Sequence, residues 1–246
     1  MLELCSEREE MLTVDEDEAM RKLNSISELS LEEFHALDER LGAALEAAQM
    51  FRELKLSWQR AQRFGISGGD MRVAYREAGK IPGCRVVLGD RLQSITKQRA
   101  YGALSLWESI RYRLVEMRHN SLDEVEKRKS SAYLQVYAAI LAAACPTVYR
   151  AILQERDALL AEELKRCVSE PLLTMESPRG RVAVGVVGMN HVAGIKRAWN
   201  SPPLSPEGRQ KLLAVPPKLP RQMHALGVMP AGWLLIGGKF LLKLLR

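Results

Sequence analysis

Apolar residues recur along most of this chain at the three- and four-residue spacing of an amphipathic helix. Leu31, Phe34, Leu37, Leu41, Leu45 and Ala48 form one such stripe, opened by Ser30-Leu31-Glu32-Glu33 with capping-box spacing. Helical character continues to Arg63, where Gly65, Gly68 and Gly69 break it. Asp70 to Lys80 reads as a further helix, closed by Pro82-Gly83. Leu104, Trp107, Ile110, Leu114 and Met117 make the apolar face of another, with Arg111, Arg113 and Arg118 displayed elsewhere. Tyr133 to Ala144 is strongly apolar and stops at Pro146, and a charged helix follows from Thr147 to about Cys167. The acidic run from Glu7 to Glu18 has no start signal before it.

Three short segments break this helical rhythm. Met1 to Cys5 reads as the last part of a strand, and Cys84 to Gly89 is a short β-branched run ending in glycine. Arg181 to Val187 is an uninterrupted apolar run ending at Gly188, the look of a parallel strand covered by helices on both faces. Strands separated by long helical stretches predict an α/β or α+β architecture in which helix dominates. Residues 169–180 read as a loop. Asn200 to Pro220, with Pro202-Pro203 and Pro216-Pro217, reads as an extended linker. The predicted organisation is a domain over 1–200, a Pro-rich linker over 201–222 and a hydrophobic C-terminal helix over 223–246.

A chain of 246 residues, 47% hydrophobic and 27% charged, is composed like a soluble protein with one sizeable core or two small ones. That excludes a largely disordered, collagen-like or polytopic membrane protein. Cys5, Cys84, Cys145 and Cys167 never pair as CxxC, so neither a disulfide framework nor a zinc ribbon is expected. The acidic start, Met1 to Glu10, has no apolar core of a secretory signal, and an intracellular location is expected. The net charge of +6 hides a gradient: residues 171–246 carry 11 Lys and Arg against Glu176 and Glu207, which is +9, leaving −3 for residues 1–170. The basic residues sit beside apolar ones, an arrangement that favours a membrane surface over a nucleic-acid groove.

The strand ends carry the candidate chemistry. Gly188-Met189-Asn190-His191 follows the apolar run directly, where open α/β sheets bind ligands, and the imidazole could bind a metal, act as acid or base, or only hydrogen-bond a loop carbonyl. Gly89-Asp90-Arg91 holds the same position after the second run, as an ion pair or as a carboxylate and guanidinium facing a ligand. Glu155-Arg156-Asp157 lies on a helix, where consecutive side chains diverge, and by itself is an ordinary solvated face. Glu3 is a candidate carboxylate at the first strand end. No glycine-rich phosphate loop or HExxH is present.

Together these blocks resemble a known family. Glu3-Leu4-Cys5 with Arg8, Gly89-Asp90-Arg91 with Thr96 and Arg99, Ala103 to Trp107, Glu155-Arg156-Asp157, and Val186 to Ile195 with Trp199 look like the successive motifs of the TraB/PrgY/GumN family, over essentially residues 1–200. The match is closest to the eukaryotic TraB domain-containing branch. The resemblance implies a helix-rich α/β fold related to the erythromycin-esterase and ChaN type, with its site at strand ends. Some relatives are metal-dependent proteases with two GxxH motifs. By that likeness Glu3, Glu155 and His191 would be catalytic, Glu3 and His191 would hold a divalent metal, and Arg8, Asp90, Arg91, Arg99 and Arg156 would line the site. In the family a strand ending in the first GxxH motif precedes the Glu-Leu-Cys segment. Here Met1-Leu2-Glu3 opens the chain, so the resemblance predicts an incomplete central sheet without that histidine. Eukaryotic members are associated with mitochondria, some through a C-terminal membrane segment.

His224 to Gly238 contains no Asp, Glu, Lys or Arg, a stretch of about 15 residues that reaches spanning length only if Lys239 and Lys243 snorkel. It reads as a tail anchor, as an amphipathic helix on an anionic surface, or as a segment packed on the domain. The functional expectations are therefore a TraB-type protein organising or regulating an intracellular membrane, the mitochondrial outer membrane favoured; a metal-dependent hydrolase; or an inactive fragment of one.

Overall fold

Among the described residues, the three- and four-residue spacing falls mostly on helices. In the computed structural model residues 1–28, 66–102, 104–119, 130–169 and 182–215 are described, with 55, 57–59, 61, 62 and 127. The helix predicted to open at Ser30 and most of its stripe lie outside them, as do the 169–180 loop beyond Ser169 and everything from residue 216 on. The described helices are α1 (Glu16–Ser27), α2 (Gly69–Gly79), α3 (Gln93–Tyr101), α4 (Leu106–His119), α5 (Ser131–Ala144), α6 (Pro146–Tyr149), α7 (Glu155–Ser169), α8 (Met189–Trp199) and α9 (Pro206–Leu213). Ser6–Thr13 is a 3-10 helix and Arg150–Gln154 a π-helical turn joining α6 to α7. Among the described residues no helix is long and apolar enough to cross a membrane.

The chain divides into two compact units, one of Met1–Glu9 and Val73–Val228, the other of Glu10–Arg72 and Met229–Arg246. In the first, three extended segments lie side by side at the places where strands are predicted. Leu2 makes isolated parallel bridges to Leu88 on one flank and Val186 on the other, and no longer strand forms among the described residues. The bridges are closed by Leu2 N–H to Val87 O (2.8 Å), Gly89 N–H to Leu2 O (2.9 Å), Glu3 N–H to Val186 O (3.0 Å) and Val186 N–H to Met1 O (2.9 Å). Leu2 and Leu4 are buried, whereas Val182 and Val184, expected inside a covered strand, are exposed. Helix α7 packs most extensively on α8. Leu160, Ala161 and Ile195 form the centre of that contact, with Met1, Leu164, Val187 and Ala198 around it.

Four local expectations are corrected. Helix α1 does have a start signal: the Asp15 carboxylate accepts the N–H groups of Asp17 (2.9 Å) and Glu18 (3.0 Å). His191 is not in a loop, because Gly188 caps α8 and the imidazole sits in that helix's first turn. Within the predicted linker Pro206–Leu213 is helical: Ser205 accepts the Gly208 N–H and Pro206 occupies the first turn, where its missing N–H costs nothing. The fourth concerns α4. Its buried residues include Ser109, Tyr112 and Val115, while Trp107, Ile110 and Leu114, the stripe expected to face a core, are exposed.

In the second unit Arg72 organises the turn into α2. Its side chain is buried, donates Nε to Glu16 (2.9 Å), and reaches the carbonyls of Ser67 (2.9 Å) and Ile66 (2.9 Å). That fan of carbonyls forms because Gly68 adopts φ +87°, a left-handed conformation that glycine takes without a Cβ penalty. Replacing Arg72 with Met leaves these acceptors without a buried donor, so urea unfolding should show a loss of about 2–4 kcal/mol, with Arg72→Lys recovering only part of it because one ammonium cannot span the fan.

Candidate functional site

The residues named from the strand ends converge, all within the first unit, around the guanidinium of Arg156. This side chain enters from the first turn of α7 and meets Asp90 with two nitrogens, Nε to Oδ1 at 3.1 Å and Nη2 to Oδ2 at 2.8 Å. Nη2 also donates to Glu3 Oε1, and Nη1 lies 3.0 Å from His191 Nε2. Glu3 completes its bonding through Oε2, which accepts the Gly188 N–H at 2.6 Å. Arg8 closes the far side: its Nη2 donates to Asp90 Oδ2 (2.7 Å) and to the Glu3 carbonyl (3.1 Å). Glu3, Asp90, Arg8, Arg156 and His191 are thus brought together from four separate stretches of chain.

Asp157, not singled out as a site residue from the sequence, belongs to the same cluster. It is buried, and its Oδ1 lies 2.7 Å from His191 Nδ1. The approach depends on Gly194, one helical turn beyond His191. A Cβ at that position would lie 1.7 Å from Asp157 Oδ2, so only glycine leaves room for the carboxylate between α7 and α8. The signal was present in the run Glu155-Arg156-Asp157 and in the glycine of His191-Val-Ala-Gly194, but adjacency on a helix argued against reading all three charges as inward.

Glu155, Arg91 and Arg99 form a second cluster. Glu155 is chelated by Arg99 through two bonds (2.7 and 2.9 Å) and takes Arg91 Nη1 at 2.7 Å. Arg91 is buried, and spends its remaining donors on Thr96 Oγ1 (2.9 Å), Ala151 O (2.6 Å) and Leu212 O (3.0 Å). Arg99 reaches Lys211 O (3.1 Å) and Ala214 O (3.3 Å). These last acceptors are carbonyls at the C-terminal end of α9, where a helix leaves acceptors unpaired and favours positive charge. The two clusters are joined through the backbone, since the Arg91 N–H donates to Asp90 Oδ1 (2.9 Å). Trp199, part of the resemblance, is exposed and does not join either cluster.

The electrostatics follow from this bonding. Burial opposes ionisation of Glu3, but His191, Arg156 and the Gly188 N–H together outweigh it and bring its carboxyl down to about 2. Burial likewise disfavours a charged His191, yet the hydrogen bonds to Asp157 and Glu3 raise its pKa above the ordinary value. Burial raises and the two arginines lower Glu155, and the arginines win.

A divalent ion at Glu3 and His191 does not fit these side chains. His191 Nε2 faces a guanidinium, Glu3 Oε1 is bonded to that same guanidinium, and both Asp90 oxygens are taken by arginines. Among the described residues no group of three His, Cys, Asp or Glu side chains could hold a metal. A fixed organic cation sits among the donors a metal would need, and what the cluster does chemically is neutralise itself.

A helix-dominated domain whose buried charged side chains meet at the ends of three parallel extended segments is the class of protein defined so far. The chain is 33% identical over 252 residues to the TraB domain-containing protein of Bos taurus, covering 94% of this chain and 64% of that relative. It is 34% identical over 235 residues to the TraB domain-containing protein of Homo sapiens, covering 87% of this chain and 61% of the relative, and 33% identical over the same length to that of Mus musculus. The chain belongs to the TraB family. It spans somewhat more than three fifths of the length of these relatives. No family model matches the chain, and no solved structure is similar to it.

Two outcomes test this geometry. Gly194→Ala should expel Asp157 from beside His191 and cost about 2–4 kcal/mol in thermal or urea unfolding, while Gly79→Ala, with open space at its Cβ position, should cost nothing comparable. The pH dependence has two limbs. Glu3, ordinarily near 4.5, stabilises the fold above that value and loses its contribution as pH falls through about 2. His191, ordinarily near 6.5, contributes fully below that value and loses its contribution as pH rises through its raised one. Unfolding free energy measured across pH should therefore flatten on the acid limb in Glu3→Gln and on the other limb in His191→Gln.

Proposed function

We propose that this TraB-family chain is a non-hydrolytic protein of an intracellular membrane, most closely the mitochondrial outer membrane, where its domain organises or regulates rather than turning over a substrate. The observation that carries this reading is the closure of the charged cluster on itself. Glu3, Asp90 and Asp157 spend their carboxylates on Arg8, Arg156 and His191, and the acid/base pair a hydrolase would use, Glu3 and His191, is in direct contact at 3.2 Å with both members also held by the Arg156 guanidinium. General acid–base catalysis requires a group that can reach a substrate proton, and neither does so without breaking buried ion pairs. On this reading Glu155, Arg91 and Arg99 hold α9 in place instead of binding a substrate. The three parallel extended segments are part of the sheet of an α/β domain of the erythromycin-esterase and ChaN type.

Membrane attachment draws its support from the sequence of the C-terminal segment. His224 to Gly238 carries no charged side chain, and Lys239, Lys243 and Arg246 follow it, the order in which basic flanks steer an anchor. These residues lie outside the described part of the structure.

Each half of the proposal has its own measurement. Purified full chain should carry well under one equivalent of zinc, manganese or iron after dialysis against each metal, and should show no peptidase activity. Metal near one per chain, abolished together with a hydrolytic activity by His191→Ala, would overturn the non-hydrolytic reading. A fluorescent fusion lacking residues 223–246 should move from the membrane to the soluble fraction, and its retention on membranes would remove the C-terminal attachment.

A further inference from the structure

Helix α4 is seated on its unit by its less apolar side. Ser109, Tyr112 and Val115 are buried, whereas Trp107, Ile110 and Leu114 are 70%, 40% and 57% exposed. Positions 107, 110 and 114 fall on one stripe of the helix, and 109, 112 and 115 on the other side. An amphipathic helix free to choose would bury tryptophan, isoleucine and leucine before serine and tyrosine. Two polar anchors keep it from rolling over. The Tyr112 hydroxyl lies 3.2 Å from that of Tyr101, and Glu108 turns its carboxylate to Ser105 Oγ (3.1 Å) and the Thr147 N–H (3.4 Å).

The neighbouring helix extends the same character. Helix α5 packs on α4, contains no charged residue over Ser131–Ala144, and leaves Val136 60% and Ile140 38% exposed. Two of the arginines expected away from the apolar face, Arg111 and Arg118, fall beside the stripe in the helical register. Arg111 is exposed, with its Nε 3.4 Å from the Trp107 carbonyl, and the register places Arg118 one turn past Leu114. Glu108 is turned away to Ser105 and Thr147, and position 116 falls off the stripe. An indole, two aliphatic side chains and arginine, with no carboxylate among them, is the composition of a helix lying at a headgroup boundary: the apolar groups enter the acyl edge, and the guanidinium stays with lipid phosphates.

We propose that the Trp107–Ile110–Leu114 face of α4 is a second membrane contact, resting on an anionic lipid surface with Arg111 at the level of the phosphates. The proposal rests on the membrane reading above but not on the C-terminal segment, and it places this side of the domain flat against the bilayer.

The test uses the full chain and vesicles of phosphatidylcholine with and without phosphatidylserine. Brominated phosphatidylserine should quench a component of tryptophan emission in the unsubstituted chain that is missing from Trp107→Phe. The double substitution Ile110→Ser with Leu114→Ser should weaken flotation with anionic vesicles by about tenfold or more, with the circular dichroism spectrum retained and only a small drop in unfolding midpoint from the covered part of the two side chains. Equal quenching in Trp107→Phe and in the unsubstituted chain overturns the α4 contact while leaving the C-terminal anchor standing. Persistent quenching of Trp107 in a chain that stays on membranes without residues 223–246 removes the anchor and keeps the α4 contact. A dimer that becomes monomeric in the double substitution, with flotation unaltered, means that a second copy covers this face and overturns the proposal.

Discussion

One guanidinium holds the polar centre of this structure together. Arg156 reaches Glu3 from the start of the chain, Asp90 from the turn after the second extended segment and His191 from the first turn of α8. Burying several ions is costly unless each is met by an opposite charge and its remaining donors and acceptors are filled. Here the charges balance and one donor is left over: two arginines and a histidine with a raised pKa face three carboxylates, backbone N–H groups of Gly188 and Arg91 fill further acceptor sites, and the buried Arg8 Nε has no partner. Such a cluster gives little net stability compared with an apolar core, but it is intolerant of partial assembly. Whichever way the surrounding helices pack, they must deliver all of these groups at once, and that requirement selects one arrangement of α7 and α8 against the extended segments.

The two clusters divide the labour. The Arg156 group ties the extended segments to α7 and α8, whereas the Arg91–Glu155–Arg99 group secures the C-terminal end of α9 through three of its carbonyls. Because Asp90 and Arg91 are neighbours, as are Glu155 and Arg156, the two are joined by single peptide bonds. The place from which the chain departs toward residue 216 is set by the same residues that set the polar centre.

Much of this was legible in the sequence, and the failures have physical causes. The three extended segments stand where β-branched and apolar runs end in glycine or cysteine, and they are parallel because long helical stretches separate them. The meeting of Glu3, Asp90, Arg156 and His191 was readable from their common place at strand ends. Asp157 was not, because three consecutive helical residues span more than half of a helix circumference, and only a helix start enclosed on several sides turns all of them inward. Helix α9 was hidden by prolines whose usual meaning is extended chain, although one of them sits where a helix welcomes it. The outward stripe of α4 defeated the rule that the apolar side faces in, since Tyr112 and Glu108 tie the helix down by its more polar side.

The π-helical turn at Arg150–Gln154 immediately precedes the charged triplet, and its Ala151 carbonyl is the one that Arg91 takes. A π turn carries an extra residue within a helical path. Losing or gaining one residue there would rotate everything downstream by about 100° about the helix axis, sending the guanidinium of Arg156 toward the position now held by a neighbour. The phase of α7 is therefore a matter of chain length as much as of residue identity. This part of the molecule should accept exchanges of side chain at 150–154 far more readily than any change in the number of residues, and drift in length must be absorbed in segments that lie outside the helices meeting at the polar centre.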